Sequence, residues 1–249
     1  MPSRRSRAFR ASEPGVGRHA KGAPPPSPSA GVGGSIDLAA AGSSLATNHL
    51  NAMLAALQDA LRLAPEWNGD MRKVLNRAFH AYDQYIMVVV SAHPMSCRAG
   101  CTACCHDNPG GVTGVELVRL RESVLNSVGG GTVLARFRTL ALKHEESSGA
   151  AGPSGGRTVD PAAWRGRREP CPCLQDGKCA AYEARPVACR AFHARTPAEW
   201  CDPDDVHFLD RINPHLDPPA VLLQALRVLS ARLGLPEPTD LHRGMAILG

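Results

Sequence analysis

No stretch of this sequence stays apolar for long. The longest strongly apolar run, Ile86 to Val90, is far short of the roughly 20 residues that a membrane helix needs. After an Arg-rich start, residues 13–35 are dominated by Gly, Pro, Ser and Ala, so no apolar segment forms a secretory or twin-arginine signal. The Arg/Ser-rich, acid-poor start fits a transit peptide on composition alone, which ranks below a cytoplasmic location as the expectation. Equally missing are an alternating strand pattern, an internal repeat and a Gly-rich phosphate loop. No Ser/His/Asp set and no paired carboxylates can be picked out, so there is no case for a hydrolase. A basic face is missing too. The net charge of +5 is carried mostly by residues 1–46, where Arg4, Arg5, Arg7, Arg10, Arg18 and Lys21 face only Glu13 and Asp37. The rest is near neutral, which argues against nucleic-acid binding.

What remains is a chain of 249 residues, 43% hydrophobic, long enough for one core of ordinary size. Residues 1–46, with Pro24, Pro25 and Pro26, read as a disordered basic tail. Residues 47–249 read as one small, mainly α domain. Leu50, Leu54, Leu57 and Leu61 recur at helical spacing from Thr47 to Leu63, and Pro65 stops that helix. Asp70 is expected to cap a longer helix through Val74, Ala78, Tyr82, Tyr85 and Val89, ended by Pro94. Thr113 and Glu116 have capping-box spacing ahead of Leu117, Leu120 and Val124, with Gly129, Gly130 and Gly131 as the stop. A further helix runs from Thr132 to about Glu146. Ser147 to Arg168 reads as a mobile Gly/Ser/Pro-rich insertion. Asp217, Pro218 and Pro219 open a last helix with Leu222, Leu226, Leu229 and Leu233 on one face and Gly234 as its stop.

All nine cysteines lie between Cys97 and Cys201, and the other 144 residues contain none. Their number is odd, no signal peptide is visible, and cytosolic thiols stay reduced, so metal ligation is preferred to a disulfide framework. The domain is therefore expected to be organised around a cysteine and metal cluster. The first group is Cys97-Arg98-Ala99-Gly100-Cys101-Thr102-Ala103-Cys104-Cys105-His106. A local helix would set Cys97, Cys101 and Cys104 or Cys105 one turn apart on one face, and a tight loop at Gly100 would gather them equally well. Two neighbouring cysteines rarely reach one ion without distorting the backbone, so Cys104 and Cys105 are open to different duties. The second group is Cys171-Pro172-Cys173-Leu174, Cys179, Cys189 and Cys201.

The run C-x3-C-x2-C-C, then C-P-x-L, then C-x2-Y-E-x-R-P-x2-C-R resembles the YkgJ-type cysteine-cluster family of zinc- or iron-chelating domains, named for its C-x2-C-x2-C-C signature. Tyr182, Glu183, Arg185, Pro186 and Arg190 match the pattern. The resemblance implies a metal set of Cys97, Cys101, Cys104, Cys105, Cys171, Cys179, Cys189 and Cys201. Cys173 departs from it, because an aromatic or aliphatic residue is usual there, and it is left out of the set. A similar cysteine domain in flagellin lysine N-methylase implies an alternative: an S-adenosylmethionine-dependent protein lysine N-methylase-like enzyme that uses the cluster on a protein substrate. A zinc-stabilised interaction module is the other alternative.

Charge does not select the metal, since four thiolates around Zn2+ or around a [4Fe-4S]2+ core both leave −2, which Arg98, Arg185 and Arg190 are placed in sequence to offset. Thiolate softness favours zinc, iron, iron-sulfur or Cu(I) over magnesium or calcium. A clean pair of C-x2-C knuckles is missing, which shifts the preference to an iron-sulfur (4Fe-4S) centre or iron, with zinc as the alternative. Cys97, Cys101 and Cys104 also reproduce the C-x3-C-x2-C spacing of radical S-adenosylmethionine enzymes. Ala103 stands where those usually carry an aromatic, and a helix rather than a strand precedes the motif. His93, His106 and His193 are read as hydrogen-bond partners ahead of ligands. Tyr182 and Glu183 are read as packing the segment that presents Cys189, and Trp164 and Trp200 as ordinary core or edge aromatics.

Overall fold

The computed structural model describes residues 44–63, 66–92, 95–98, 100–147, 169–202, 205–207 and 218–248. The expected tail up to residue 43, the insertion from residue 148 to 168, and His93, Pro65, Pro94, Trp164 and Asp217 lie outside them. The fold is mainly α, as expected. Helix α1, Ser44–Leu63, starts three residues before the expected Thr47. It packs on α2, Gly69–Ser91. Asn68, not Asp70, caps α2: its backbone is extended, and its Oδ1 accepts the N–H groups of Asp70 (3.0 Å) and Met71 (3.0 Å). Asp70 sits inside the first turn, where a carboxylate favours the helix dipole but does not cap.

Helix α3, Gly114–Leu125, opens on the expected Thr113/Glu116 pair. Helix α3 stops at Leu125 with Asn126 as its C-cap, ahead of the expected glycine stop, and helix α4, Gly130–Ser147, begins inside the glycine run, two residues before the expected Thr132. A β carbon on Gly130 would collide with the carbonyl oxygen of Val124, so only glycine lets the two helices follow so closely. The cysteine segments include α5, Val187–Ala191, and beyond them come α6, Ala220–Arg232, and α7, Leu241–Leu248. Gly234, in the left-handed region at φ +62°, follows α6 as its expected stop. Strands β1, Leu174–Gln175, and β2, Lys178–Cys179, pair antiparallel, with Leu174 opposite Cys179.

Two apolar clusters result. The first unites α1, α2 and α6 through residues such as Met53, Leu57, Leu75, Tyr82, Leu226 and Leu229, and also takes in Val115 and Val187. The second unites α3, α4 and α7 through Leu117, Leu120, Phe137, Leu241 and Met245, and includes Cys173. Helix α3 thus serves both, with Val115 turned to one cluster and Leu117 to the other. Among the described residues no helix is long and apolar enough to cross a membrane.

Candidate metal centre

The first cysteine group is a loop, not a helix. Gly100 takes φ +84°, which only glycine adopts freely, and Cys101 N–H turns back to the Arg98 carbonyl at 3.0 Å. A single 3-10 turn, Ala103–His106, follows. The loop is held at both ends. Upstream, Ser96 N–H donates to the Ala194 carbonyl (2.7 Å) and its hydroxyl to the Arg195 carbonyl (3.0 Å), while Ala194 N–H donates to Cys97 Sγ (3.1 Å). Downstream, Asn108 Nδ2 donates to Asp240 Oδ1 (2.9 Å) and the Pro109 carbonyl accepts Leu241 N–H (3.0 Å), which fixes the loop to the start of α7. Val112 and Thr239 add an antiparallel bridge beside it.

The second group begins against the first, where Cys171 N–H donates to the Cys105 carbonyl at 2.6 Å. Leu174 N–H closes a turn on the Cys171 carbonyl (2.8 Å), and Ala180 N–H donates to the Cys173 carbonyl (2.8 Å). Asp176 and Gly177, at φ 48° and 73°, make the two-residue hairpin turn that joins β1 to β2. Cys179 ends that hairpin. The 3-10 turn Tyr182–Ala184 then leads to α5, which carries Cys189.

Glu116 positions α5. Its Oε2 accepts the N–H of Thr113 (2.8 Å), as the capping-box spacing predicts, and also the Thr113 hydroxyl (2.6 Å), while its Oε1 accepts Val187 N–H (2.7 Å). One buried carboxylate therefore holds the starts of α3 and α5 together. Burial pushes its pKa up, against the hydrogen bonds from Thr113 and Val187 and the charge of Arg190. The spacing identified Glu116 as a cap, and nothing in it signalled the reach to Val187.

Arg190 fixes the other side of α5. Its guanidinium is paired with Asp83 of α2 and donates from Nε to the Arg185 carbonyl (2.8 Å) and from Nη2 to the Glu183 carbonyl (2.5 Å). Arg185 pairs with the same Asp83 at 3.5 Å and lies over the Tyr182 ring at 3.7 Å. Arg119 of α3 shares the Glu183 carbonyl at 2.5 Å. Of the two residues expected to pack this segment, Tyr182 is exposed and meets only Arg185 here, and Glu183 contributes its backbone carbonyl. Arg190 spends its donors on oxygen, and Arg98 faces Glu199 at 4.0 Å.

The thiols lie close enough to perturb one another. Cys104 is pushed far up by a hydrogen bond with Cys105, then by burial. Cys173 is pushed up by hydrogen bonds with Cys171 and Cys179, then by burial. Cys179 is held below the usual thiol range because it accepts from Cys173 and from Ala181 N–H and faces Arg185. Burial pushes Cys189 well up, with added repulsion from Cys171, Cys104 and Cys179. Cys97 is raised by burial and by Cys101 and Cys104. Cys201 lies in the turn Ala198–Cys201, which packs against the turn bearing Cys104 and Cys105. No disulfide joins any two of the nine cysteines. As donors they suit a soft metal, but among the described residues no three His, Cys, Asp or Glu side chains are placed around one ion. His193 Nε2 lies 3.0 Å from the Arg190 carbonyl, and burial lowers its pKa. His106 sits half-buried at the end of its 3-10 turn. Trp200 stacks on His207 at 4.5 Å.

No protein-family model, no curated protein and no solved structure matches this chain.

Proposed function

We propose that this is a cytoplasmic metal-binding protein in which two cysteine groups hold an iron-sulfur (4Fe-4S) centre or iron, with zinc as the alternative, in the manner of the YkgJ-type domain its cysteine pattern resembles. One observation carries the reading: the Cys105 and Cys171 segments are hydrogen-bonded together, and Cys189 from α5 feels the thiols of Cys104, Cys171 and Cys179. Three segments distant in sequence bring soft donors to one region. An ion would bind by displacing thiol protons, so affinity would rise with pH. The proposed ligands are Cys97, Cys101, Cys104, Cys105, Cys171, Cys179, Cys189 and Cys201. A bound iron-sulfur centre would supply electron transfer or a Lewis-acidic iron; the residues around it supply position, through Glu116 and Arg190, and a buried setting for the thiolates.

Anaerobic purification with metal and sulfide analysis and a visible spectrum tests this. The expected protein is brown, contains iron and sulfide, and bleaches with dithionite. A colourless protein with stoichiometric zinc moves the assignment to the zinc alternative, and a protein that takes up neither metal overturns the proposal. A saturable rise in Tm on adding S-adenosylmethionine to the loaded protein would favour the methylase-like alternative.

A further inference from the structure

A cavity of about 280 Å3 lies between α2, α3 and the turn that leads to α5, and none of the cysteines lines it. Its walls include Asn76, Phe79 and Asp83 of α2, Arg119 of α3, Arg190 of α5 and Glu183. Phe79 is the one apolar side chain among these six, and the volume sits at the small end of small-molecule sites. Such a wall suits a small polar ligand and offers little to a lipid or a large aromatic cofactor.

Charge in the cavity leans positive. Asp83 is already engaged by two guanidinium groups, those of Arg190 and Arg185. Arg119 is a third cation, and the oxygens it donates to are both neutral: Asn76 Oδ1 from Nε (3.0 Å) and the Glu183 carbonyl from Nη2 (2.5 Å). Its Nη1 is buried with no hydrogen-bond partner among the described residues. The guanidinium carbons of Arg119 and Arg190 stand 4.5 Å and 5.0 Å from the centre of the Phe79 ring, so two like charges share one ring. Burial, and then the charge of Arg190, lower the pKa of Arg119 to about 10, which leaves it protonated at neutral pH. The Glu183 carboxylate belongs to an exposed residue, where solvent screens it. A buried charged donor without an acceptor is costly, and an acceptor held in the cavity would remove that cost.

We propose that this cavity binds a small, singly charged carboxylate, which accepts a hydrogen bond from Arg119 Nη1 and offsets the surplus guanidinium charge beside Phe79. One cation without an acid of its own calls for one negative charge. A phosphate dianion would set a second charge against Asp83. The planar guanidinium offers its N–H groups at fixed angles that match a carboxylate, which an ammonium could not do. The site stands apart from the metal reading, because no proposed thiol ligand lines it, and the two can be tested separately.

The test titrates the full 15N-labelled chain with acetate, with chloride holding the ionic strength constant. Expected are a saturable shift of the Arg119 Nε–H signal, with a Kd of about a millimolar as befits so small a ligand, and magnetisation transfer from the acetate methyl to the Phe79 ring. A wild-type protein in which neither signal responds overturns the inference. Inorganic phosphate is expected to bind about tenfold more weakly, and phosphate binding as tight as acetate overturns the choice of a carboxylate. Asn76→Asp changes an exposed residue, keeps an acceptor for Arg119 Nε and supplies the missing negative charge in place. It should weaken acetate binding about tenfold while leaving the backbone spectrum folded, and Arg119→Gln should abolish binding. Acetate binding unchanged in Asn76→Asp overturns the inference even if Arg119→Gln fails to fold.

Discussion

Glu116 shows how much one side chain can decide. Its two oxygens take three donors, one of them on a segment that the chain reaches only much later. Replacing it with alanine leaves the N–H groups of Thr113 and Val187 buried without an acceptor. At about 1–3 kcal/mol for each unsatisfied group, Glu116→Ala is expected to cost about 3 kcal/mol in urea denaturation. The pH dependence has a definite sign. The folded pKa of Glu116 lies above its ordinary 4.5. The folded state therefore binds more protons than the unfolded one between those two values. The contribution is fully present below pH 4.5 and is lost as pH rises through the folded pKa. Stability measured upward from pH 4.5 should accordingly show a falling component in the wild type that is missing in Glu116→Gln. The capping half of this arrangement was legible because three-residue spacing is a local signal. The Val187 half was not, because no local pattern encodes a contact between residues 71 apart.

At the level of elements, sequence reading succeeded wherever periodicity had room to show itself. The leucine spacing of α1 and α6 located both helices, and the glycine run located the break between α3 and α4. It failed where an element was too short for a period to emerge. Helix α7 has eight residues, with Leu241, Met245 and Leu248 as barely two turns of pattern. Strands β1 and β2 have two residues each, so alternation could not be seen, and the Asp176-Gly177 pair, a hairpin-turn dipeptide, went unread. The cap of α2 is an instructive error, because Asn68 and Asp70 are both good capping residues two positions apart. What decides between them is backbone: Asn68 has the extended φ of −131° that points its oxygen at the free N–H groups. Asn68→Ala should therefore lower stability by about 1 kcal/mol. Asp70→Ala should cost less, removing only a first-turn charge with an exposed partner in Lys73. Equal losses in thermal melts of the two variants would restore Asp70 as the cap.

For the whole molecule, the question is how a cysteine region with little regular structure is kept in place against a helical body. The second apolar cluster contains Cys173, and none of the nine cysteines belongs to the first, so apolar packing alone ties the cysteines mainly to α3, α4 and α7. The tie to α2 is apolar at Val187, which the first cluster takes in, and electrostatic at Asp83. Asp83 receives Arg190, whose side chain is 1% exposed, and Arg185, and Arg190 in turn gathers the carbonyls of Glu183 and Arg185. Removing the acid leaves a buried guanidinium uncompensated, which is costly even though a well-packed apolar replacement of the whole pair need not be. Asp83→Asn is expected to destabilise the fold by about 3 kcal/mol, with Arg190→Lys no milder, because an ammonium cannot reach Asp83 and two carbonyls at fixed angles as the guanidinium does. The loss should also be local before it is global. Hydrogen exchange should quicken first across residues 182–191, the segment that presents Cys189, while the α1–α2 pair keeps its protection through its own apolar cluster. If instead α1 and α2 lose protection together with that segment, the two clusters open as one cooperative unit and Asp83 holds the whole molecule closed.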